Sequence, residues 1–303
     1  MLALIAPGQG SQTPGMLNAW LEDPAAKTLL LQWSKAIDLD LVRLGTTAEA
    51  EEIKDTANAQ PLIVAVGLLG ARALGATGKF CFVAGHSVGE ITAAALAGVL
   101  TAEDALTLVR ARGIEMSKSA ALASSGMSAV LGGVRAVVLK AIADAGLVAA
   151  NDNGGGQIVA AGDLAALANL SPEGARVRAL PVAGAFHTKY MEPAVAPLRQ
   201  LAQSITVSNP SIGVISNRDG DLIENGREIL DRIVNQITSP VRWDLCMSTL
   251  KSLGVSGVIE MPPAGTLVGL LKRAEPFVET FALKSPADLV FAREFVQRHQ
   301  ERE

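Results

Sequence analysis

The sequence predicts an α/β protein: a mostly parallel sheet covered by helices on both faces, with a small inserted βαββαβ unit. Three observations predict it. Short apolar runs alternate with helix-prone stretches along most of the 303 residues. The apolar run 80–84 passes through Gly85-His86-Ser87-Val88-Gly89-Glu90 into an Ala-rich run, which reads as strand, sharp turn and helix. Between residues 125 and 184 the rhythm changes, and strand-like runs crowd together.

Residues 2–6 read as a buried strand that ends in the glycine-rich loop Pro7-Gly8-Gln9-Gly10-Ser11-Gln12. The loop lacks the Gly-Lys-Ser/Thr of a phosphate-binding loop and the three-glycine dinucleotide fingerprint. It is either a plain strand-to-helix turn or a loop that aims a backbone N–H at an oxyanion. Residues 17–41 carry mixed helical patterning, and Gln60-Pro61 is expected to open a long apolar helix through residue 74. After the elbow and its helix (88–99), Thr101-Ala102-Glu103-Asp104 resembles a capping box and starts a helix to residue 119. At about 100° per residue, Arg112 lies roughly 60° from the centre of that helix's apolar face, and Arg110 about 100° away on the other side. Arg112 is therefore the one expected to point inward, unless it is a snorkelling boundary side chain.

Residues 121–126 are a small-residue connector. Strands at 127–131, 147–151, 157–161 and 177–182, with helices at 136–145 and 164–170, give the ferredoxin-like order βαββαβ. The expected division is a large subdomain of residues 1–124 and 185–303, a small one of residues 125–184, and a cleft between them. The return segment is read as helix 191–205, strand 212–216, helices 229–236 and 243–253, strand 255–260, helix 267–273, strand 277–283 and a charge-rich helix 287–303.

Composition bounds the function. Hydrophobic residues make up 49% and charged residues 18%, which fits a compact globular chain. Aromatics are only 4%, so Ala, Val, Leu and Ile must build the core. A net charge of −4 argues against nucleic-acid binding. Cys81 reads as core in an apolar strand. It and Cys246 make no disulfide framework, so a reducing compartment is expected. Residues 1–7 lack the positive charge and the long apolar run of a signal peptide. No run of about 18 apolar residues suggests a membrane span. A soluble cytoplasmic protein is the expectation.

Gly85-x-Ser87-x-Gly89 fits the nucleophile elbow of an α/β-hydrolase-like core. A serine on such a turn takes strained backbone, and glycine is favoured on both sides because the chain passes close to itself. Its hydroxyl needs a base, and histidine is the usual one. The chain has three histidines. His299 lies in a polar tail and is expected at the solvated surface. His86 neighbours Ser87, where side chains diverge, and reads as structural support. His187 remains, at the return from the inserted unit. What orients it is open. Glu103, Asp104, Glu115, Asp144, Asp152, Asp163 and Glu173 read as surface, and Glu90 has no evident partner. A backbone carbonyl could serve instead.

These residues, with Asn151-Asp152-Asn153, Gln157, Asn235-Gln236 and Pro240-Val241-Arg242-Trp243, fall in an order that resembles the malonyl-CoA:acyl-carrier-protein transacylases over essentially the whole chain. The resemblance is strongest to the free-standing bacterial enzyme of type II fatty-acid or polyketide synthesis. It implies Ser87 as nucleophile, His187 as base and acid, and the main-chain carbonyl of Gln236 as its orienting group. It also implies an oxyanion hole from the backbone N–H groups of Gln9 and Val88, Arg112 on the malonyl carboxylate, and Gln60 near it. Phe186 resembles the malonyl-type variant at its position. Malonyl-CoA and an acyl carrier protein are the implied partners; no cofactor, metal, nucleic acid or membrane is expected, and a monomer is. A basic rim of Lys189, Arg218, Lys272 and Arg273 is a candidate docking surface for an acidic carrier. One departure is Met261-Pro262-Pro263-Ala264-Gly265, where the family usually has a glycine-rich turn. Competing readings are a serine thioesterase or esterase, and a non-catalytic carrier-docking subunit.

Overall fold

The computed structural model describes residues 1–75 and 77–301. The chain runs β1 (Leu2–Ala6), α1 (Pro24–Ala36), α2 (Leu41–Thr46), α3 (Ala50–Lys54), α4 (Thr56–Leu74), β2 (Phe82–Gly85), α5 (Gly89–Leu96) and α6 (Ala102–Ala120). It continues through β3 (Ser125–Gly132), α7 (Arg135–Asp144), β4 (Val148–Asp152), β5 (Gln157–Asp163), α8 (Leu164–Asn169) and β6 (Ala175–Ala179). The return comprises α9 (Val195–Ser204), β7 (Gly213–Ile215), β8 (Leu222–Ile223), α10 (Gly226–Asn235), β9 (Val241–Arg242) and α11 (Trp243–Ser252). It closes with β10 (Gly257–Glu260), α12 (Thr266–Ala274), β11 (Glu279–Ala282) and α13 (Leu289–Gln300).

Six strands form one sheet in the order β11-β10-β1-β2-β7-β8. All pairs are parallel except β7–β8 at the edge. Both faces are buried, and the period of two shows it. Leu2, Leu4, Val83 and Val214 enter one core with helices α4, α5, α6 and α10. Ala3, Ile5, Ala84 and Ile215 enter the other with α11 and α12. On α11, Trp243, Cys246, Met247 and Leu250 recur at helical spacing and supply that second layer.

The second sheet has the order β6-β3-β5-β4-β9. Neighbours among β3 to β6 are antiparallel. Its fifth strand, β9, comes from the return segment and pairs parallel with β4, Asn151 opposite Val241 and Asp152 opposite Arg242. The small sheet is thus stitched to the chain that carries the large one.

Several sequence expectations are corrected. Pro61 does not open its helix. Asp55 caps α4 by accepting from Ala57 N at 2.8 Å, so the proline sits in the sixth position. A proline there removes a donor and leaves the Ala57 carbonyl orphaned. Arg110 Nη1 fills it at 2.9 Å, which gives the outward arginine a structural partner. The same helix has the length and apolar composition to cross a membrane, yet 78% of its apolar 18-residue stretch is buried within the protein, so it is a core helix. Cys81 is exposed rather than core: it precedes β2, and its backbone pairs with Leu2 and Gly213. Asp152 is buried, not at the surface, because Arg135 Nε and Gly154 N donate to it. His299 is only 1% exposed: α13 turns it inward against Phe295 and Ser256. The last two residues of the C-terminal helix expected from the sequence lie outside the described residues. The proline-containing turn after β10 is held by Glu260, whose carboxylate accepts from Gly265, Leu267 and Val268 N at 2.9 to 3.0 Å and fills the first donors of α12.

Candidate active site

Ser87 sits between β2 and α5 with φ at +54°, in left-handed backbone that a serine seldom adopts. Two close approaches force it there. A Cβ on Gly85 would lie 2.0 Å from the Gly89 backbone, and one on Gly89 would lie 2.2 Å from the Ala6 carbonyl oxygen. Both positions must be glycine for β2 to turn into α5 beside β1. The turn lifts Ser87 Oγ to 2.7 Å from His187 Nε2. His187 is itself left-handed, with φ at +61°. Its Nδ1 lies 2.9 Å from the main-chain carbonyl of Gln236. A carbonyl only accepts, so Nδ1 carries the hydrogen and Nε2 is free to accept from the serine. Burial, reinforced by the nearby Arg112 guanidinium, pushes His187 down to about 3, so it is a neutral base at ordinary pH.

Arg112 is buried on α6, and its guanidinium is spread over three partners. Nη1 donates to Gln60 Oε1 at 2.7 Å, Nη2 to Gln236 Oε1 at 2.9 Å, and Nη2 approaches Ser87 Oγ at 3.5 Å. Nε has no acceptor among the described residues. Burial lowers its pKa to about 10, so the cation persists at neutral pH. The Gln60 amide nitrogen also donates to Gln9 Oε1 and to Met116 Sδ.

The loop 7–12 runs beside the elbow. Ser11 Oγ donates to Gly8 O at 2.7 Å, and the Gln9 side chain donates to Thr56 Oγ1 at 3.1 Å. Among the described residues, the backbone N–H groups of Gln9 and Val88 donate to no protein acceptor. Val88 also precedes α5, so its N–H belongs to a helix start with a positive dipole end. His86 supports the elbow from the other side: its Nε2 pairs with Asn153 Oδ1 at 2.9 Å and its ring meets Trp243 edge-on. A cavity of about 260 Å³ collects these parts. Ser87, His187, Gln9, Gln60 and Phe186 line it from the large-sheet side, and Met127, Asn151, Asn153, Gln157 and Val159 from the small sheet.

Sequence reasoning missed the polar network behind the serine. Glu90 has partners after all. Its Oε1 accepts from Asn217 N at 2.6 Å, and its Oε2 accepts from the Gln236 amide. Asn217 clamps the elbow, taking Ser87 N at 2.7 Å and giving its amide to Gly85 O at 2.7 Å. The available signal was position. Ser216-Asn217 stands at the carboxyl end of a buried parallel strand, where sites gather in such sheets. Of the basic residues expected at a rim, Lys189, Arg218, Lys272 and Arg273 are all exposed, and α12, which carries the last two, lines the cleft through Thr266, Leu267 and Leu270. Arg218 lines a separate cavity behind Gln236.

Residues 4–280 match the family described as acyl transferase domain. Over 296 residues the chain is 53% identical to the malonyl CoA-acyl carrier protein transacylase of Mycobacterium bovis, covering 95% of this chain and 98% of that one. The crystal structure of MCAT from Mycobacterium tuberculosis superposes with a TM-score of 0.94 at 52% identity, over 96% and 99% of the two chains. A malonyl-transacylase solved in complex with a type II PKS acyl-carrier protein gives 0.90 at 28% identity, over 97% and 99%. With an elbow serine and a carbonyl-oriented histidine on one cavity, a buried arginine 3.5 Å from the serine hydroxyl, and likeness over nearly its full length, the chain belongs to the malonyl CoA-acyl carrier protein transacylase family of acyl transferases.

Proposed function

We propose that this chain moves malonyl from malonyl-CoA to the phosphopantetheine thiol of an acyl carrier protein through a malonyl-serine intermediate. The observation that carries the reading is Arg112, a buried, charged guanidinium held 3.5 Å from the serine hydroxyl. A planar guanidinium matches a carboxylate bidentately, and burial makes the uncharged competitor expensive because the cation would stay unpaired.

In this reading Ser87 Oγ attacks the thioester carbonyl while His187 Nε2 takes its proton. Gln9 and Val88 N–H receive the oxyanion. Collapse breaks the C–S bond, and His187 returns the proton to the departing CoA sulfur. The carrier thiol then repeats the steps in reverse and releases Ser87. The Gln236 carbonyl stabilises the imidazolium in passing, so no acidic third member is needed. Gln60 holds Arg112 from the far side, and Phe186 closes the acyl end of the cavity.

The chain divides into residues 1–124 with 185–303 and a ferredoxin-like insertion of 125–184, with the cleft between them; lining residues from both sheets support this division. The enzyme works in the cytoplasm, a placement that its unpaired thiols at Cys81 and Cys246 support. Lys189, Lys272 and Arg273 are the carrier-facing cations. The test is intact-protein mass after brief exposure to malonyl-CoA or acetyl-CoA. A malonyl adduct on the unmutated protein, absent in Ser87→Ala, weak with acetyl-CoA and discharged by carrier protein, is expected. Free malonate without an adduct would mean a thioesterase instead.

A further inference from the structure

The Gln236 side chain is an amide, so it has one accepting and one donating end. The accepting end, Oε1, faces Arg112 Nη2 at 2.9 Å. Turned over, it would set NH₂ against a guanidinium that can only donate. What prevents the turn lies behind it. Gln236 Nε2 donates to the charged Glu90 Oε2, and at 3.2 Å also approaches the Ser87 carbonyl and Asn217 Oδ1, while the other Glu90 oxygen takes the Asn217 backbone N–H at 2.6 Å. A carboxylate offers acceptors on both oxygens, so it satisfies two donors at once.

We infer that Glu90 is a positioning residue for diacid selectivity: it locks the Gln236 amide in the orientation that presents an acceptor to Arg112, and so fixes the guanidinium that grips the acyl carboxylate. The inference rests on the acyl-transfer reading above. A glutamine at position 90 has nearly the same shape but one acceptor and one donor. It must then oppose either the Asn217 N–H or the Gln236 NH₂ with a donor of its own. Asn217 still holds Ser87 N and Gly85 O by its side chain, so the elbow keeps its own clamp.

A second cavity, of about 340 Å³, reaches Glu90 from behind. Ser216, Arg218, Arg232, Gln236 and Ser239 line it with Glu90, and no residue of the serine–histidine pair does. The carboxylate can therefore exchange its proton with solvent while the front cleft is occupied. Burial pushes Glu90 up to about 7. The ionisable groups facing it are Arg112 from α6, Arg232 from α10 and the Cys246 thiol from α11. Arg112 stays charged, Arg232 is raised by Asp219 and Glu228, and burial pushes the thiol up, so Glu90 alone changes charge near neutrality. Its protonated form carries a donor, as glutamine does, and the same clash follows.

The experiment is the Glu90→Gln variant, with acylation followed by intact mass over a range of malonyl-CoA or acetyl-CoA concentrations. We expect KM for malonyl-CoA to rise about tenfold, kcat to change less than about threefold, and acetyl-CoA acylation to hold within about threefold. Equal losses on both donors, or an unchanged malonyl-CoA KM, would overturn the inference. If the variant does not fold, the unmutated protein decides. Its KM for malonyl-CoA should rise as pH falls from about 8 to about 6, and a flat profile would overturn the proposal. Failure of the unmutated protein to take up malonyl at all would instead remove the acyl-transfer reading.

Discussion

Two serine–histidine pairs stand among the described residues. Ser87 Oγ meets His187 Nε2 at 2.7 Å, and Ser256 Oγ meets His299 Nδ1 at 3.0 Å. By side chains alone the Ser256 pair is closer to a hydrolase triad, because Glu279 Oε2 lies 3.1 Å from His299 Nε2. Behind His187 stands the Gln236 backbone carbonyl rather than a carboxylate. The backbone separates them. Ser87 stands on left-handed backbone at a strand-to-helix turn, beside unclaimed N–H groups and a cavity. Ser256 precedes β10 in ordinary backbone, and its hydroxyl donates to the Met1 carbonyl at 3.2 Å. The Ser256–His299–Glu279 group joins the N-terminus, two strands and α13, which is a fastening. A competent nucleophile is thus made by the turn that exposes it, not by the side chains near it.

The largest effect should come from exchanging the two serines for alanine. Ser87→Ala removes the adduct and lowers transfer by at least about 10⁴-fold, whereas Ser256→Ala leaves turnover within about twofold. Steady-state transfer with both variants checks this, and a comparable loss from Ser256→Ala would break the comparison. Next come the glycines that shape each neighbourhood. Gly89→Ala puts its Cβ on the Ala6 backbone and should cost about 4 kcal/mol or prevent folding. Gly257→Ala meets the His299 ring and the Leu2 side chain, which can shift, and should cost about 1–3 kcal/mol. Denaturant unfolding of the two variants ranks them.

The pH dependence of stability sharpens the contrast further. His187 is held neutral, with its folded value depressed to about 3. Its contribution is complete above the ordinary histidine value near 6.5 and is lost as pH falls toward about 3, because the unfolded chain takes up a proton that the folded site refuses. Unfolding free energy should therefore slope downward over that window, and less steeply in His187→Gln. The smallest effect belongs to the fastening. His299→Gln should lower stability by about 1–3 kcal/mol, read as Tm, with transfer activity within about twofold.

The elements fixed by local pattern were legible in the sequence. The elbow was readable because strand, glycine, serine, glycine and helix are contiguous, and the demand on Gly85 acts within five residues, although that on Gly89 comes from β1. Arg112 was readable because helical periodicity sets which side of α6 is inward. The alternation of strands with helices pointed to the parallel sheet. Burial of isolated polar residues was not legible. Glu90 has no partner nearby in the chain, because Asn217 and Gln236 are 127 and 146 residues away. His299 reads as solvated because the tail around it is polar, although one face of α13 turns inward against the β10–β11 edge. Asp152 and Arg135, Pro61 and Arg110, follow the same rule. A sequence shows which residues a turn or a helix face must present. Whether a buried charge is tolerated depends on donors and acceptors brought by distant strands, and only the tertiary structure decides that.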